Sequence, residues 1–204
     1  MYGNDAIGDC AEAACGHLIQ LASAVTGRPT SVQLADIESA YSVITGWDPA
    51  RPATDKGSQM LDVLRYWRTT GIAGVQIDAF VALEPGNDTH FEAAINLFGG
   101  VYLGLDLPTA AQTQTVWDIA RPGARDDSWR PGSWGGHAVA VVGYDRLTVL
   151  LVSWGALRVA TRAFIRTYAS EAYATIGGLW AAAGELAPSG FNRELLDADL
   201  EALA

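Results

Sequence analysis

The stretch HAVAVVGYDRLTVLLVSWG, residues 137–155, decides the fold class of this chain. Its two apolar runs, residues 137–144 and 148–154, have the length of buried strands, and the polar Asp-Arg pair at 145–146 is typical of a tight turn. We therefore predict a β-hairpin. His137 is the first residue of this hairpin and follows a Trp-Gly-Gly turn that allows another segment to approach closely.

The first part of the chain has a helical pattern instead. Residues 10–25 are rich in Ala and Leu and follow Asp9, a favourable N-cap, so they predict a buried helix. Residues 32–45 predict a second helix, capped by Ser31. Ser58 opens a third helix with an apolar stripe.

Beyond these helices the spacing of the hydrophobic residues changes repeatedly between the helical and the strand period. Residues 75–83 alternate as in a strand, residues 89–98 return to helix, and residues 101–107 predict a strand. After the hairpin, residues 160–169 predict a strand or a short helix, and 173–176 a strand. Because helices come first and strands later, we expect an α+β fold with a helical lobe and an antiparallel β lobe.

The length of 204 residues predicts one domain. We place it at residues 1–187, with the helical lobe at about 1–98 and the β lobe at about 99–187. Residues 188–204 are acidic and amphipathic, so this tail is expected to pack on its own domain or to bind a protein partner.

Composition excludes several classes of function. Half of the residues are hydrophobic and 18% are charged, which excludes a disordered chain. The net charge of −10 argues against binding to nucleic acid or to an anionic membrane. No apolar run is long enough to cross a bilayer, and the N-terminus lacks the pattern of a signal peptide, so we expect a cytoplasmic location. Two cysteines and three histidines form no metal-ligand spacing, and we expect neither a metal nor another cofactor.

Cys10 and His137 are the candidate catalytic residues. A thiolate is favoured at a helix N-terminus and beside an imidazolium, and Cys10 is predicted to begin a helix. A helix N-terminus that faces a strand end across two lobes would join Cys10 to His137. Asn4, six residues before Cys10, could supply a side-chain N–H to an oxyanion hole beside the Cys10 N–H. The competing interpretation is that Cys10 is a small buried hydrophobic residue, as Cys15 is expected to be.

Four segments together resemble the papain-like cysteine peptidases. They are NDAIGDCA (4–11), KGSQMLDVLRYWRTTGI (56–72), HAVAVVGY (137–144) and VSWG (152–155). The resemblance runs through residues 3–176 and is closest to divergent, compact members from actinobacteria and their phages. It implies a two-lobed fold and a hydrolase, most simply a peptidase.

The same resemblance implies roles for individual residues. Cys10 is the nucleophile, His137 the general base and then acid, and Asn4, in place of the usual Gln, the oxyanion-hole residue. A peptide or protein substrate would lie in the groove between the lobes, near residues 57–58 and 134–136.

The chain also departs from the family pattern. Val152 stands where the family has the Asn that orients the histidine, and strand alternation predicts that Ser153 points to the opposite face. Asp5 and Asp9 disfavour the thiolate. Only nine residues precede Cys10, so no pro-segment is expected.

These departures motivate an alternative. The chain would then be a catalytically weak or inactive papain-like domain that serves as a binding or structural module. One example is an accessory protein of a phage capsid or tail, anchored through its C-terminal helix and located in the virion. A non-peptide amidase or transferase is the third hypothesis. Glu171 and Tyr173 are predicted to be structural.

Overall fold

The structure is a computed structural model and describes residues 1–27, 29–123 and 126–177. Three helices come first: α1 (Cys10–Val25), α2 (Leu34–Thr45) and α3 (Met60–Thr69). The predicted bounds of α1 are confirmed. No helix within the described ranges is long and apolar enough to cross a membrane.

The predicted start of the second helix was wrong by two residues, and that of the third by one residue. Gln33, not Ser31, is the N-cap of α2, and its N–H donates to the Asp36 carboxylate at 2.8 Å. Ser58 does not cap α3, because its hydroxyl donates to Glu12 at 2.5 Å and thereby ties the start of α3 to α1.

The rest of the described chain forms one seven-stranded sheet with two further helices. The strands are β1 (Ala79–Leu83), β2 (Val101–Leu107), β3 (Val116–Trp117), β4 (Gly135–Tyr144), β5 (Thr148–Ser153), β6 (Ala156–Thr161) and β7 (Ala169–Ile176). Helix α4 (Asp88–Phe98) precedes β2, and α5 (Arg162–Tyr168) lies between β6 and β7. The order across the sheet is β1-β7-β2-β4-β5-β6-β3, and every pair is antiparallel except β3 with β6. The predicted α+β class is confirmed.

The hairpin expected from residues 137–155 is present as β4 and β5. Its continuous apolar sequence reflects burial on both faces of the sheet. Ala138 and Ala140 of β4 belong to the cluster that packs on α1, α2 and α3, whereas Val139 and Val141 face the cluster that contains α4 and α5. The sheet therefore separates two cores, and β4 runs between them.

Three other predicted elements have different bounds, and one of them is the strand expected at 173–176, which is part of the longer β7. The strand expected at 75–83 is limited to β1, because Val75 and Ile72 exchange both backbone hydrogen bonds, each of 2.9 Å, in a closed turn. The ambiguous segment at 160–169 is divided between the end of β6 and α5. The acidic tail at 188–204 lies outside the described residues, so its predicted role stays a prediction.

Candidate active site

Cys10 is the first residue of α1 and is half-buried. The backbone N–H of Ala138 donates to its Sγ at 3.4 Å, so the start of α1 touches β4 one residue after His137. The contact joins residues that are 128 positions apart in the chain. The structure thus brings Cys10 and His137 together, as the sequence predicts.

One cleft contains both residues and has a volume of about 440 Å³. Gly8, Cys10 and Ala11 line it at the start of α1, and Gly136, His137 and Ala138 line it on β4. The remaining lining residues are Lys56, Gly57, Ser58, Gln59, Met60, Gly104, Leu105, Asp106, Ser170 and Glu171. Asn4 is half-buried in the turn before α1 and does not line this cleft. Its oxyanion-hole role stays a prediction.

The ring of His137 is held from the side away from the cleft. Its Nε2 lies 2.9 Å from the Ser153 hydroxyl, and both residues are buried, at 8% and 2% exposure. Since Nε2 is engaged, Nδ1 is the ring nitrogen that has no hydrogen-bond partner among the described residues. Ser153 therefore occupies the position of a group that orients the histidine.

The prediction that Ser153 faces away from His137 was wrong, and the register of the hairpin explains why. Ala140 pairs with Val152, and Val141 with Leu151. Side chains alternate along each strand, so Ser153 shares the face of Leu151 and His137. Val152 projects from the other face and does not orient the histidine.

An aromatic stack covers the other surface of the imidazole. The Trp154 ring lies 4.3 Å from that of His137 with an interplanar angle of 12°, and Trp134 stacks on Trp154 at 5.1 Å. Trp134 is 38% exposed, so the stack runs from the interior to the surface. Such packing fixes the ring plane and removes water from around Nε2.

Electrostatics keep this resting pair neutral. Burial, followed by the charges of Glu12 and Asp9, raises the pKa of Cys10 to about 11, although the Ala138 N–H opposes that rise. Burial and the positive charge of Arg158 lower the pKa of His137 to about 4. Near pH 7 the site is therefore a thiol beside an uncharged imidazole.

Two buried carboxyl groups flank Cys10. Asp9 and Glu12 are fully buried, and neither oxygen of Asp9 has a hydrogen-bond partner among the described residues. Burial and the neighbouring carboxyl of Glu12 raise the pKa of Asp9 to about 8. Burial raises the pKa of Glu12 to about 7, against the stabilising hydrogen bond from Ser58. The predicted opposition of Asp9 to the thiolate agrees in direction with the raised pKa of Cys10, to which Glu12 contributes more than Asp9 does.

A hydrogen-bonded clamp joins two neighbouring segments that line the cleft, the turn before α1 and the loop before α3. The Asp55 carboxylate accepts the Gly8 N–H at 3.0 and 3.2 Å and the Tyr41 hydroxyl at 2.5 Å. The Tyr41 oxygen in turn accepts the N–H of Gly57 at 3.0 Å. Because Gly8 and Gly57 both line the cleft, Asp55 and Tyr41 fix the position of these two segments next to Cys10.

The other cysteine and histidines lie outside this arrangement. Cys15 is fully buried in the first core, as predicted. His17 packs on the Tyr2 ring at 5.0 Å, and burial lowers its pKa to about 4. His90 is exposed, and its Nδ1 accepts the Glu84 N–H at 3.1 Å. In the described ranges, no group of three His, Cys, Asp or Glu residues could hold a metal ion.

Comparison with solved structures assigns the fold. The chain is similar to a cysteine protease from Carica candamarcensis, with a TM-score of 0.55 and 16% identity over 83% of this chain and 89% of that one. It is also similar to digestive procathepsin L 3 of Tenebrio molitor, with a TM-score of 0.57 and 14% identity over 84% of this chain and 64% of that one. The cysteine protease and lectin-like domains of Cwp84 from Clostridium difficile match with a TM-score of 0.60 and 12% identity, over 85% of this chain and 48% of that one.

Sequence comparison adds no relative: no family model matches the chain, and no curated protein does. The structural matches and the order of helices and strands confirm the papain-like fold. Within that fold, Cys10 at the start of α1 and His137 in β4 lie on one cleft, as expected from the resemblance of the four sequence segments.

Proposed function

We propose that this protein is a cysteine hydrolase that cleaves peptide amide bonds. The observation that supports the proposal most strongly is a single cleft in which Cys10 lies against β4 while Ser153 holds the far nitrogen of His137. A buried hydroxyl on that nitrogen has a clear use in a proton-transfer site, because it fixes which nitrogen faces the thiol.

In the proposed reaction the Cys10 thiol gives its proton to Nδ1 of His137. The sulfur forms a bond to the carbonyl carbon of the scissile amide, and the electron pair of the C=O bond moves to oxygen. The N–H of Cys10 at the start of α1, which has no partner within the described part of the chain, would stabilise that oxyanion, together with the predicted contribution of Asn4.

Collapse of this tetrahedral intermediate breaks the C–N bond. The imidazolium of His137 gives its proton to the leaving amine, and a thioester on Cys10 remains. His137 then takes a proton from water, the resulting hydroxide attacks the thioester, and the carboxylic acid leaves as the Cys10 thiol is restored. The Ser153 hydroxyl accepts from Nε2 while the ring is charged.

The test compares wild type with Cys10→Ala and with Cys15→Ala, which removes the buried thiol instead. Fluorogenic peptide amides are offered to each protein, and an epoxide thiol reagent followed by mass spectrometry identifies the labelled cysteine. We expect cleavage and labelling by wild type and Cys15→Ala, and neither by Cys10→Ala. Equal cleavage by Cys10→Ala would overturn the proposal.

A second candidate is a peptide-binding module without turnover. The raised pKa of Cys10 and the two buried acids beside it favour this alternative, because they keep the sulfur protonated at neutral pH. Peptide binding without cleavage or labelling would support it. If the protein is such a binding module, we expect it in the virion, as an accessory protein of a capsid or tail. Cosedimentation with phage particles tests this location. If it is a hydrolase, the expected location remains the cytoplasm.

A further inference from the structure

The turn that follows β5 has a backbone conformation that its first residue does not favour. Trp154 and Gly155 form the two-residue turn between β5 and β6, and both have positive φ angles, of 48° and 68°. Glycine adopts such angles without strain, whereas a bulky residue rarely does. Contacts of the Trp154 side chain must therefore hold this residue in the turn.

A cluster of aromatic and cationic side chains supplies contacts of that kind. The Trp117 ring is fully buried and meets the Trp154 ring edge-on at 6.2 Å. The guanidinium carbon of Arg158 lies 5.4 Å from the centre of the Trp117 ring and 6.0 Å from that of Trp154. A guanidinium at such a distance is attracted by the π-electrons of an indole. Arg158 thus links Trp154, which stacks on His137, to the core around Trp117.

The register of the last hairpin places Arg158 on this side of the sheet. Ser153 pairs with Ala156, and Leu151 pairs with Arg158. Because side chains alternate along a strand, Arg158 lies on the same face of the sheet as Ser153, whose hydroxyl holds Nε2 of His137. Arg158 does not line the cleft, so its guanidinium lies behind the imidazole.

The positive charge of Arg158 has no carboxylate partner within the described ranges. Its Nη1 donates to the backbone oxygen of Gln114 at 3.4 Å, and its buried Nε donates to no atom of the described chain. A cation that is partly withdrawn from water without a counter-ion acts strongly on ionisable groups nearby. It contributes, after burial, to the lowered pKa of His137.

The other titratable groups around the thiol and the imidazole do not supply this effect. They are Cys10, Asp9, Glu12, Lys56, Asp106 and, beyond β2, Glu171. In the acidic range in which His137 titrates, both buried carboxyl groups are protonated, because the pKa of Asp9 is about 8 and that of Glu12 about 7. Lys56 and Asp106 are exposed, so water and salt screen their charges. The guanidinium is therefore the fixed charge that acts on the ring.

We propose that Arg158 is a positioning residue of the site: it holds the Trp154 ring against His137 and keeps a positive charge behind the imidazole. This inference rests on the proposed function for the use that the reaction makes of both effects. A ring held flat against Trp154 keeps its hydrogen bond to Ser153, and a cation nearby favours the uncharged base that can accept the thiol proton. Loss of such a cation–π contact corresponds to a rate lower by about threefold to thirtyfold.

The experiment is an NMR titration of the His137 ring, assigned with His137→Ala, in a Cys10→Ala background that requires no turnover. Arg158→Met removes the charge and keeps an apolar stem, so it should raise the midpoint by at least about half a pH unit. Arg158→Gln, which keeps a donor for the Gln114 carbonyl, should do the same. Arg158→Lys keeps the charge and should leave the midpoint unchanged, as should Arg146→Met, which removes an exposed arginine from the turn between β4 and β5.

Two further measurements test the contact and its use. The nuclear Overhauser effect between the rings of Trp154 and His137 should be weaker in Arg158→Met than in the parent protein, and kcat/KM for a peptide amide should fall about threefold to thirtyfold. A raised midpoint and a weaker Overhauser effect without any cleavage by wild type would support the inference and contradict the proposed hydrolase. An unchanged midpoint in Arg158→Met, an equal rise in Arg158→Lys or an unchanged Overhauser effect would overturn the inference alone.

Discussion

Replacing Ser153 with alanine tests how the histidine is oriented. The substitution removes the hydroxyl that lies 2.9 Å from His137 Nε2, at a position with 2% exposure where water cannot easily take its place. In the proposed reaction the ring is neutral at rest and charged after it accepts the thiol proton, so the lost hydrogen bond should cost more in the transition state than in the ground state. A hydrogen bond to a charged group contributes about 1.5–3 kcal/mol, so acylation should slow about 10-fold to 100-fold.

The assay is kcat/KM for a cleaved peptide amide, with ¹⁵N NMR of the imidazole as a second measurement. In the wild type the hydrogen-bonded Nε2 should differ from Nδ1 in chemical shift, and in Ser153→Ala the ring should sample both tautomers. Ser153→Thr keeps the hydroxyl and serves as the conservative variant, which should retain most of the rate.

A matched control uses the neighbouring position. Val152 faces away from His137, so Ser153→Ala/Val152→Asn should be as slow as Ser153→Ala. Rescue by the asparagine would show that position 152 faces the histidine. A rate for Ser153→Ala within twofold of the wild type would show that the hydroxyl does not assist proton transfer. The first result would refute the facing inferred from the register, and the second would refute the role of the Ser153 hydroxyl.

Three further predictions concern the surroundings of the nucleophile. Because the pKa of Cys10 is about 11, alkylation by iodoacetamide should rise about tenfold per pH unit between pH 7 and 10, whereas a plateau below pH 8 would indicate a thiolate–imidazolium pair. Burial raises the pKa of Asp9 from 3.8 to about 8. The free energy of unfolding that depends on the protonated Asp9 carboxyl is therefore fully present below about pH 4 and is lost as the pH rises to 8. The gain in Tm from Asp9→Asn, measured by calorimetry, should therefore be at least about 2–4 °C larger at pH 9 than at pH 4, and an equal gain at both would contradict the assignment. Asp55→Ala leaves the Gly8 N–H and the Tyr41 hydroxyl without their acceptor, so urea titration should show a loss of about 1–3 kcal/mol. If the loss of stability in the double variant Asp55→Ala/Tyr41→Phe equals the sum of the losses in the two single variants, the two side chains do not form one clamp.

The sequence predicted the elements that depend on local pattern. Helix α1 could be bounded because an Ala/Leu-rich run begins at Cys10, although the Asp9 side chain makes no capping hydrogen bond within the described residues. The hairpin was predictable because two apolar runs flank a short polar turn. The spacing of motifs along the chain also indicated that Cys10 and His137 belong together, although 127 positions separate them.

Other features of the candidate site could not be predicted from the residues next to them in the sequence. Glu12 stands in an ordinary helical sequence, and its burial depends on how α1 packs against the loop that carries Ser58. Asp55 and Tyr41 are 14 positions apart, and only the packed loop makes them partners. The prediction that Glu171 is structural missed the lining of the cleft, because the neighbours of Glu171 come from β2 and α3 and not from the residues beside it in sequence.

By itself, then, the sequence determined the α+β class, the helix that begins at Cys10 and the strand that presents His137, because these follow from hydrophobic period and from residues at element ends. Only the tertiary structure decided that Ser153 rather than Val152 holds the histidine, since the facing of a side chain depends on cross-strand register. It also decided that the thiol and the imidazole are both neutral at rest, because desolvation depends on everything packed around a group and not on its neighbours in sequence.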